Sequence, residues 1–193
     1  MPIAAVPLAP PAIEPVALAE AKAWLRLTTG DEDDLVSALL VAARHAVEHA
    51  TRRRLITQGW TLVLDRWPVF GPLWLPLAPM RAVTGFRLFD DTDVSTSLDP
   101  RTLRLVGLPE RPRILLGQGL PKPGRKEAGI EIDVTLGYGD NATDVPAPLR
   151  QAIRMLVARW YENRAAAATP ADTRTIPADI AALLAPLRRA RLG

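Results

Sequence analysis

The sequence predicts an α+β fold, in which two long packed helices and several short ones carry a small antiparallel β-sheet inserted between the long helices. Two stretches, near residues 35–50 and 149–160, repeat apolar residues at the spacing of an amphipathic helix. The stretch from about 56 to 137 instead alternates apolar and polar residues in short runs that end at proline, glycine or aspartate. Because no helix-length segments separate these runs, they favour an antiparallel sheet over a βαβ arrangement.

The composition is that of a folded chain. Of the 193 residues, 48% are hydrophobic and 23% are charged, which suffices to bury a core and is unlike a disordered segment. There is no cysteine, so disulfides, thiol catalysis and cysteine-based metal sites are excluded. No apolar run approaches the roughly 18 residues of a transmembrane helix, and the first residues lack the basic start of a secretory signal. We therefore expect the protein to remain in the compartment where it is made.

The sequence predicts three parts. Residues 1–15 contain five prolines and no regular period, which predicts an extended N-terminal arm. Residues 16–165 form a single helical domain, interrupted by the β insertion at about 56–137. Residues 166–193 form a short C-terminal helix followed by a basic tail.

The first half of the domain is predicted to contain two helices. The first extends from about residue 16 to residue 28, where Gly30 follows as a C-terminal breaker. Asp31 is the predicted N-cap of a long second helix, and the next three residues are acidic, as the helix dipole favours. The apolar stripe predicted for this helix is alanine-rich and consists of Leu35, Ala38, Leu39, Ala42, Ala46 and Ala50, with Val36, Leu40, Val41 and Val47 widening it.

About six short strands come next. They are predicted near residues 60–64, 73–77, 83–89, 103–106, 114–116 and 130–136. Proline-rich and glycine-rich segments join them, and the segment 120–129 is a basic loop between the last two.

A late helix is predicted from Pro146 to Arg164, with prolines only in its first turn. One arc of this helix is apolar and contains Leu149, Ala152, Ile153, Leu156, Val157 and Trp160. We expect the alanine-rich second helix to cover this arc, because small side chains allow close approach.

No motif in the sequence predicts catalysis, a metal site or a cofactor. His45 and His49 are one helical turn apart, but Glu48 is not placed as the base of a zinc protease, and no third ligand is indicated. The glycine pairs at 117–119 and 137–139 lack the residues that complete a phosphate-binding or dinucleotide-binding loop. No serine has a glycine-flanked elbow. The protein is therefore predicted not to be an enzyme, although a hydrolase with two acids remote in sequence stays open.

Basic residues suggest an alternative function as a DNA-binding accessory protein. Three clusters contain Arg52, Arg53 and Arg54; Lys122, Arg125 and Lys126; and Arg188, Arg189 and Arg191. Each cluster also fits a helix terminus, a solvated loop or a tail. The net charge of +3 is small for a dedicated duplex binder.

Several segments together resemble the head-to-tail connector, or adaptor, proteins of long-tailed phages and phage-derived gene transfer agents. The resemblance spans residues 15 to 165 in order and rests on segments 15–26, 33–44, 51–62, 137–139, 145–153 and 160–164. The chain departs from the family near Ala17, where family members often have serine or threonine, and near Arg53, where they often have glycine. The first helix cap and the turn after the second helix are therefore expected to differ.

The resemblance implies a structural protein that forms a ring of twelve subunits under the portal, in the neck of a particle assembled in the bacterial cytoplasm. Its implied partners are its own copies, the portal, the next neck or tail component, and DNA that passes without sequence-specific binding. The C-terminal candidates for portal binding are Leu183, Leu184, Leu187, Arg188, Arg189 and Arg191. The candidates for the ring interface or lumen are Trp67, Phe70, Trp74, Lys122, Arg125, Lys126, Arg150 and Arg154.

Overall fold

The computed structural model describes residues 3–108, 111–163 and 176–188 and has the predicted α+β architecture. The chain divides into two compact units. One, the β unit, comprises Met1–Ala12 and Thr57–Gly137; the other, the helical unit, comprises Ile13–Ile56 and Tyr138–Gly193. The β insertion of the sequence thus forms a compact body together with the N-terminal residues.

The β unit contains two antiparallel sheets where the sequence predicted one small sheet. The strands are β1 Ala4–Pro7, β2 Gln58–Leu64, β3 Leu73–Trp74, β4 Met80–Phe89, β5 Ser95–Leu98, β6 Leu103–Val106, β7 Arg113–Leu116 and β8 Ile130–Leu136. Five strands form one sheet in the order β1-β2-β8-β4-β5, and three form the other in the order β3-β7-β6. Alternation along β8 buries Ile130, Ile132, Val134 and Leu136. These residues belong to the core of the β unit.

On the opposite face of the five-stranded sheet, a cluster of charged and polar side chains links neighbouring strands. Arg87 donates from Nε to Glu131 Oε2 at 2.7 Å and from Nη1 to Asp133 Oδ2 at 2.8 Å. Thr61 Oγ1 on β2 also donates to Asp133, at 2.7 Å. The hydrogen bond to Glu131 raises the pKa of Arg87 above its ordinary value, so the guanidinium stays charged. This cluster ties three neighbouring strands together.

Part of the N-terminal segment, which the sequence predicts to be extended, forms an edge strand. Ala4 to Pro7 pair antiparallel with β2, with Ala4 opposite Val63, and the Leu8 amide donates to the Gly59 carbonyl at 3.0 Å. An edge strand tolerates proline, because the missing amide hydrogen is one that faces away from the sheet. The segment is extended, but it completes the edge of this chain's own sheet.

The helical unit contains α1 Leu18–Leu25, α2 Asp33–Thr51, α3 Ala147–Glu162 and α4 Ala178–Leu184. Helices α2 and α3 pack on each other, as predicted. On α3 the buried residues are Leu149, Ala152, Ile153, Leu156 and Val157, which confirms the predicted arc. Trp160 packs at the margin of the same core.

The buried face of α2 differs from the predicted stripe. Val36, Leu40, Ala43 and Val47 are buried, whereas Leu35 is 37% exposed and Ala38 and Ala42 also face solvent. The buried face is therefore centred on Val36, Leu40 and Val47, which the sequence placed at the margin of the stripe, and part of the predicted centre faces solvent. The reason is chemical: Arg44 and Glu48 lie on the buried side as an internal ion pair, and a hydrophobic pattern assigns such residues to solvent.

The start of α2 also differs from the prediction. The N-cap position is Glu32 and not Asp31, and the Glu32 side chain makes no capping hydrogen bond. It instead accepts a hydrogen bond from Tyr161 Oη on α3. Within the described residues, no helix has the length and apolar character needed to cross a membrane.

Candidate assembly surfaces

The β unit has an open groove of about 810 Å³, which brings together two segments that are distant in sequence. Residues 65–69, after β2, line one side, and residues 116–126, after β7, line the other. Trp67, Leu116 and Leu120 supply apolar surface. Arg66 and three of the predicted candidate residues supply positive charge: Lys122, Arg125 and Lys126. A concave apolar surface with a few charged groups at its rim is typical of a binding site.

Trp67 fixes the shape of this groove. Its indole ring packs edge-on against Phe86, with 6.0 Å between the ring centroids and 75° between the planes. Its Nε1 donates to the Pro121 carbonyl at 3.0 Å, which joins the two sides of the groove. The side chain of Trp67 is therefore partly committed to the core of the β unit, and only its remaining surface is available to a partner.

The basic loop is anchored to the neighbouring strands by backbone hydrogen bonds. The amides of Gly124 and Arg125 both donate to the Phe89 carbonyl, at 3.0 and 3.3 Å, and the Ala128 amide donates to Asp65 at 2.9 Å. The Arg125 guanidinium stacks 5.0 Å from the centroid of the Phe89 ring and forms an ion pair with Asp93 at 3.5 Å. Arg125 is thus held by its own chain.

Lys122 and Lys126 differ from Arg125 because they are exposed. Among the described residues, no carboxylate forms an ion pair with Lys122, Lys126 or Arg66. Their three charges are available to a partner that carries negative charge.

An apolar tip adjoins the groove. Val69 is 80% exposed and Phe70 is 90% exposed, in a turn bounded by Pro68 and Pro72. The prolines restrict this turn, and Gly71 takes a positive φ of 75° that other residues rarely adopt. A large side chain held so far out of its own core is typical of a contact residue.

Trp74 has a different environment. It is 46% exposed at the edge of the three-stranded sheet, and the Arg113 guanidinium lies 5.5 Å from its ring centroid. Part of the Trp74 ring is therefore exposed to solvent, while the Arg113 guanidinium packs against it.

In the helical unit, Arg154 joins α3 to α1. It forms an ion pair with Glu20 at 3.2 Å, and its guanidinium lies 5.7 Å from the ring centroid of Trp24. Arg150, one helical turn earlier, is partly buried. Of the two predicted lumen candidates on this helix, Arg154 thus already has intramolecular contacts.

The C-terminal candidates are divided between the core and the surface. Leu184 is completely buried in the helical core, and Leu183 and Leu187 pack against it in part. Arg188 is exposed, whereas Arg189 and Arg191 lie outside the described residues.

The sequence did not indicate that Arg53 holds this C-terminal helix. Arg53 is 7% exposed, donates from Nε to the Leu187 carbonyl at 2.7 Å, and donates from Nη1 to Tyr138 Oη at 2.8 Å. It was interpreted as part of a basic helix end, and its partner is 134 residues away in sequence.

A buried ionic network lies beside the two histidines. Glu48 Oε1 accepts from the Leu55 amide at 2.9 Å, and its Oε2 lies 3.4 Å from Arg44 Nη1 and 3.7 Å from Arg54 Nη1. Arg44 also contacts Glu14 at 2.8 Å. Burial lowers the pKa of Arg54, and the charge of Glu48 counteracts this effect. Glu48, which the sequence placed between two exposed histidines, therefore organises the interior.

The histidine pair itself faces solvent. In the part of the chain that the structure describes, no group of three or more histidine, aspartate or glutamate side chains is placed to hold a metal ion.

Comparison with known proteins shows to which family the chain belongs. Residues 15–84 match the family model of the phage gp6-like head-tail connector protein. No curated protein sequence matches the chain.

Solved structures match over nearly the whole length. A chain in the neck of an empty gene transfer agent (GTA) particle, computed with C6 symmetry, is 33% identical, with a TM-score of 0.78 over 100% of this chain and 97% of that one. A chain in the virion of a native GTA particle is also 33% identical, with a TM-score of 0.75 over 97% and 96%. A third, in the neck of a native GTA particle computed with C12 symmetry, is 32% identical, with a TM-score of 0.65 over 93% and 96%. The chain therefore belongs to the head-tail connector family, in which its role is that of a structural head-tail adaptor.

Proposed function

We propose that the chain assembles into a ring of twelve copies in the neck of a phage-like particle, under the portal, where it joins head to tail and leaves a passage for DNA. The observation that carries this proposal is the similarity, over 93% of the chain, to a protein in a GTA neck computed with C12 symmetry. In this role the protein is assembled in the bacterial cytoplasm, needs no cofactor and turns over no substrate.

A ring places definite demands on the surface of each subunit. Its interface is heterologous, so every copy needs two different surfaces that fit each other. The groove and the exposed tip at Phe70 supply one such surface, with Trp74 as a further candidate. The small net charge of +3 fits a passage that guides DNA without holding it. We assign Arg150 to the lumen or ring interface in preference to Arg154, which has an ion pair within the chain.

The portal contact is proposed for the basic C-terminus. Because Ile180 and Leu184 are buried in the helical core, the last helix serves as an anchor for the basic residues at the end of the chain. Leu183 and Leu187 pack against the same core, so the portal contact rests mainly on Arg188, Arg189 and Arg191. A deletion of the whole segment would open the core, and a charge substitution is therefore the cleaner test.

The test compares two triple variants that remove the same charge. One carries Arg188→Ser, Arg189→Ser and Arg191→Ser; the control carries Arg101→Ser, Arg104→Ser and Arg111→Ser, at exposed positions of the β unit. In a binding assay with purified portal, we expect about tenfold weaker binding for the first variant and wild-type binding for the control. Equal binding by all three proteins would refute the portal contact.

The same variants also test the alternative function in DNA binding. A protein that acts by holding DNA would bind duplex with an affinity that falls steeply with salt, and the C-terminal triple variant would reduce that dependence. Loss of duplex affinity with unchanged portal binding would favour a DNA-binding accessory protein over an adaptor.

A further inference from the structure

We propose that the groove of the β unit binds the acidic turn that begins α2 in the neighbouring copy, and that this contact closes the ring. The inference rests on the proposed ring and names both of its complementary surfaces. The groove, defined above by residues 65–69 and 116–126, receives a turn consisting of residues 28–35.

The groove calls for a partner with both negative charge and apolar character. Arg66, Lys122 and Lys126 provide three positive charges without an ion pair among the described residues. Between them lie the apolar surfaces of Trp67, Leu116 and other lining residues. A DNA backbone would satisfy the charges but leave the apolar surface uncovered, whereas an acidic peptide with an apolar side chain satisfies both.

The chain itself contains such a peptide. Residues 31–34 are four consecutive acids, the longest acidic run in the sequence. Asp31 and Asp34 are exposed, and within the described residues neither takes part in an ion pair. The other two acids of the run are held inside the subunit, Asp33 by Lys22 and Glu32 by Tyr161.

An apolar residue follows the free acids directly. Leu35 is 37% exposed, because α2 is rotated so that Val36 points into the core in its place. The turn before it, residues 28–31, is also exposed. The segment thus presents two free carboxylates and a leucine side chain on a short projection, which matches the charges and the apolar surface of the groove.

Ring geometry agrees with this pairing. The groove belongs to the β unit and the acidic turn to the helical unit, so a contact between copies uses two different surfaces and repeats around a ring. A pair of subunits joined in this way has one groove free at one end and one turn free at the other, so the next copy can bind on either side.

The test uses charge reversal on the two surfaces separately and together. The groove variant is Lys122→Glu with Lys126→Glu, the turn variant is Asp31→Lys with Asp34→Lys, and the swap variant carries all four changes. A matched control, Arg101→Glu with Arg104→Glu, changes the same charge at exposed positions that do not line the groove. All are at the surface, and thermal melting checks that each variant is folded. Ring formation is scored by electron microscopy of each protein assembled on purified portal.

We expect the groove variant and the turn variant each to reduce ring formation at least about tenfold, and the swap variant to restore it. The control variant should form rings as the wild type does. An equimolar mixture of the groove and turn variants should also form rings in which the two variants alternate, because each copy then makes one wild-type pairing and one reversed pairing, and both are complementary in charge.

Two outcomes would overturn the inference. Normal rings from the groove or turn variant would show that this contact is not the ring interface. A groove variant that forms normal rings but loses binding to duplex DNA would assign the groove to nucleic acid. Failure of the wild-type chain to form any ring on the portal would instead overturn the proposed function, so the two failures are distinguishable.

Discussion

Glu48 shows how a charged residue can define the interior of a helical protein. Glu48 is 3% exposed, yet its carboxylate accepts a hydrogen bond from the Leu55 amide and forms ion pairs with two arginines. One of these, Arg44, is equally buried and also contacts Glu14. Removing one member of a buried ion pair leaves the other without compensation, which costs more than the pair itself contributes.

We predict that Glu48→Leu lowers the free energy of unfolding by about 2–4 kcal/mol, because the buried Arg44 keeps Glu14 but loses Glu48, and the Leu55 amide loses its acceptor. Chemical denaturation of the purified chain measures this change. His49→Leu, on the exposed neighbour, is the control and should change stability by less than about 0.5 kcal/mol. A Glu48→Leu protein as stable as the control would contradict the assignment of Glu48 to a stabilising network.

At the scale of elements, α2 and α3 show when a buried helix face is predictable. On α3 the polar residues are confined to one side, so its apolar arc is unambiguous. On α2 apolar residues occur on nearly every side of the helix, and two of the buried residues, Arg44 and Glu48, are charged. The buried side of α2 therefore combines an apolar stripe with an internal ion pair, which a hydrophobic pattern alone does not reveal.

A pair of leucines tests this rotation. We predict that Leu40→Ala, at a position 2% exposed, lowers the free energy of unfolding by about 2–5 kcal/mol, since it leaves a cavity in the core. Leu35→Ala, at the outward position that the sequence placed in the core, should cost less than about 1 kcal/mol. Thermal or chemical unfolding measures the free energy of unfolding of both variants. Equal losses would indicate that Leu35 is buried as deeply as Leu40.

The features of the fold that the sequence predicts are those that depend on local patterns. The order of helices and strands follows from local periodicity and from turn residues, and the α+β class follows from their order. The pairing of Ala4 to Pro7 with β2 cannot be predicted in this way, because prolines obscure the strand pattern and the partner strand lies over fifty residues away in sequence. The groove is not predictable for a related reason. Trp67 and Lys122 are each visible as candidates, but only the folded sheets bring them together.

At the scale of the whole molecule, the two units divide the work of an adaptor. The β unit presents the groove and the exposed tip, and the helical unit carries the acidic turn and anchors the C-terminus through Arg53. In the proposed ring, every copy would use the groove for one neighbour, the acidic turn for the other and the basic C-terminus for the portal.

Electron cryo-microscopy of the particle neck, from cells with and without this chain, tests the central claim most directly. We predict a ring of twelve copies between portal and tail when the chain is present, and heads without attached tails when it is absent. A neck whose density contains no such ring, or tails that attach equally well without the chain, would contradict the assignment as a head-tail adaptor.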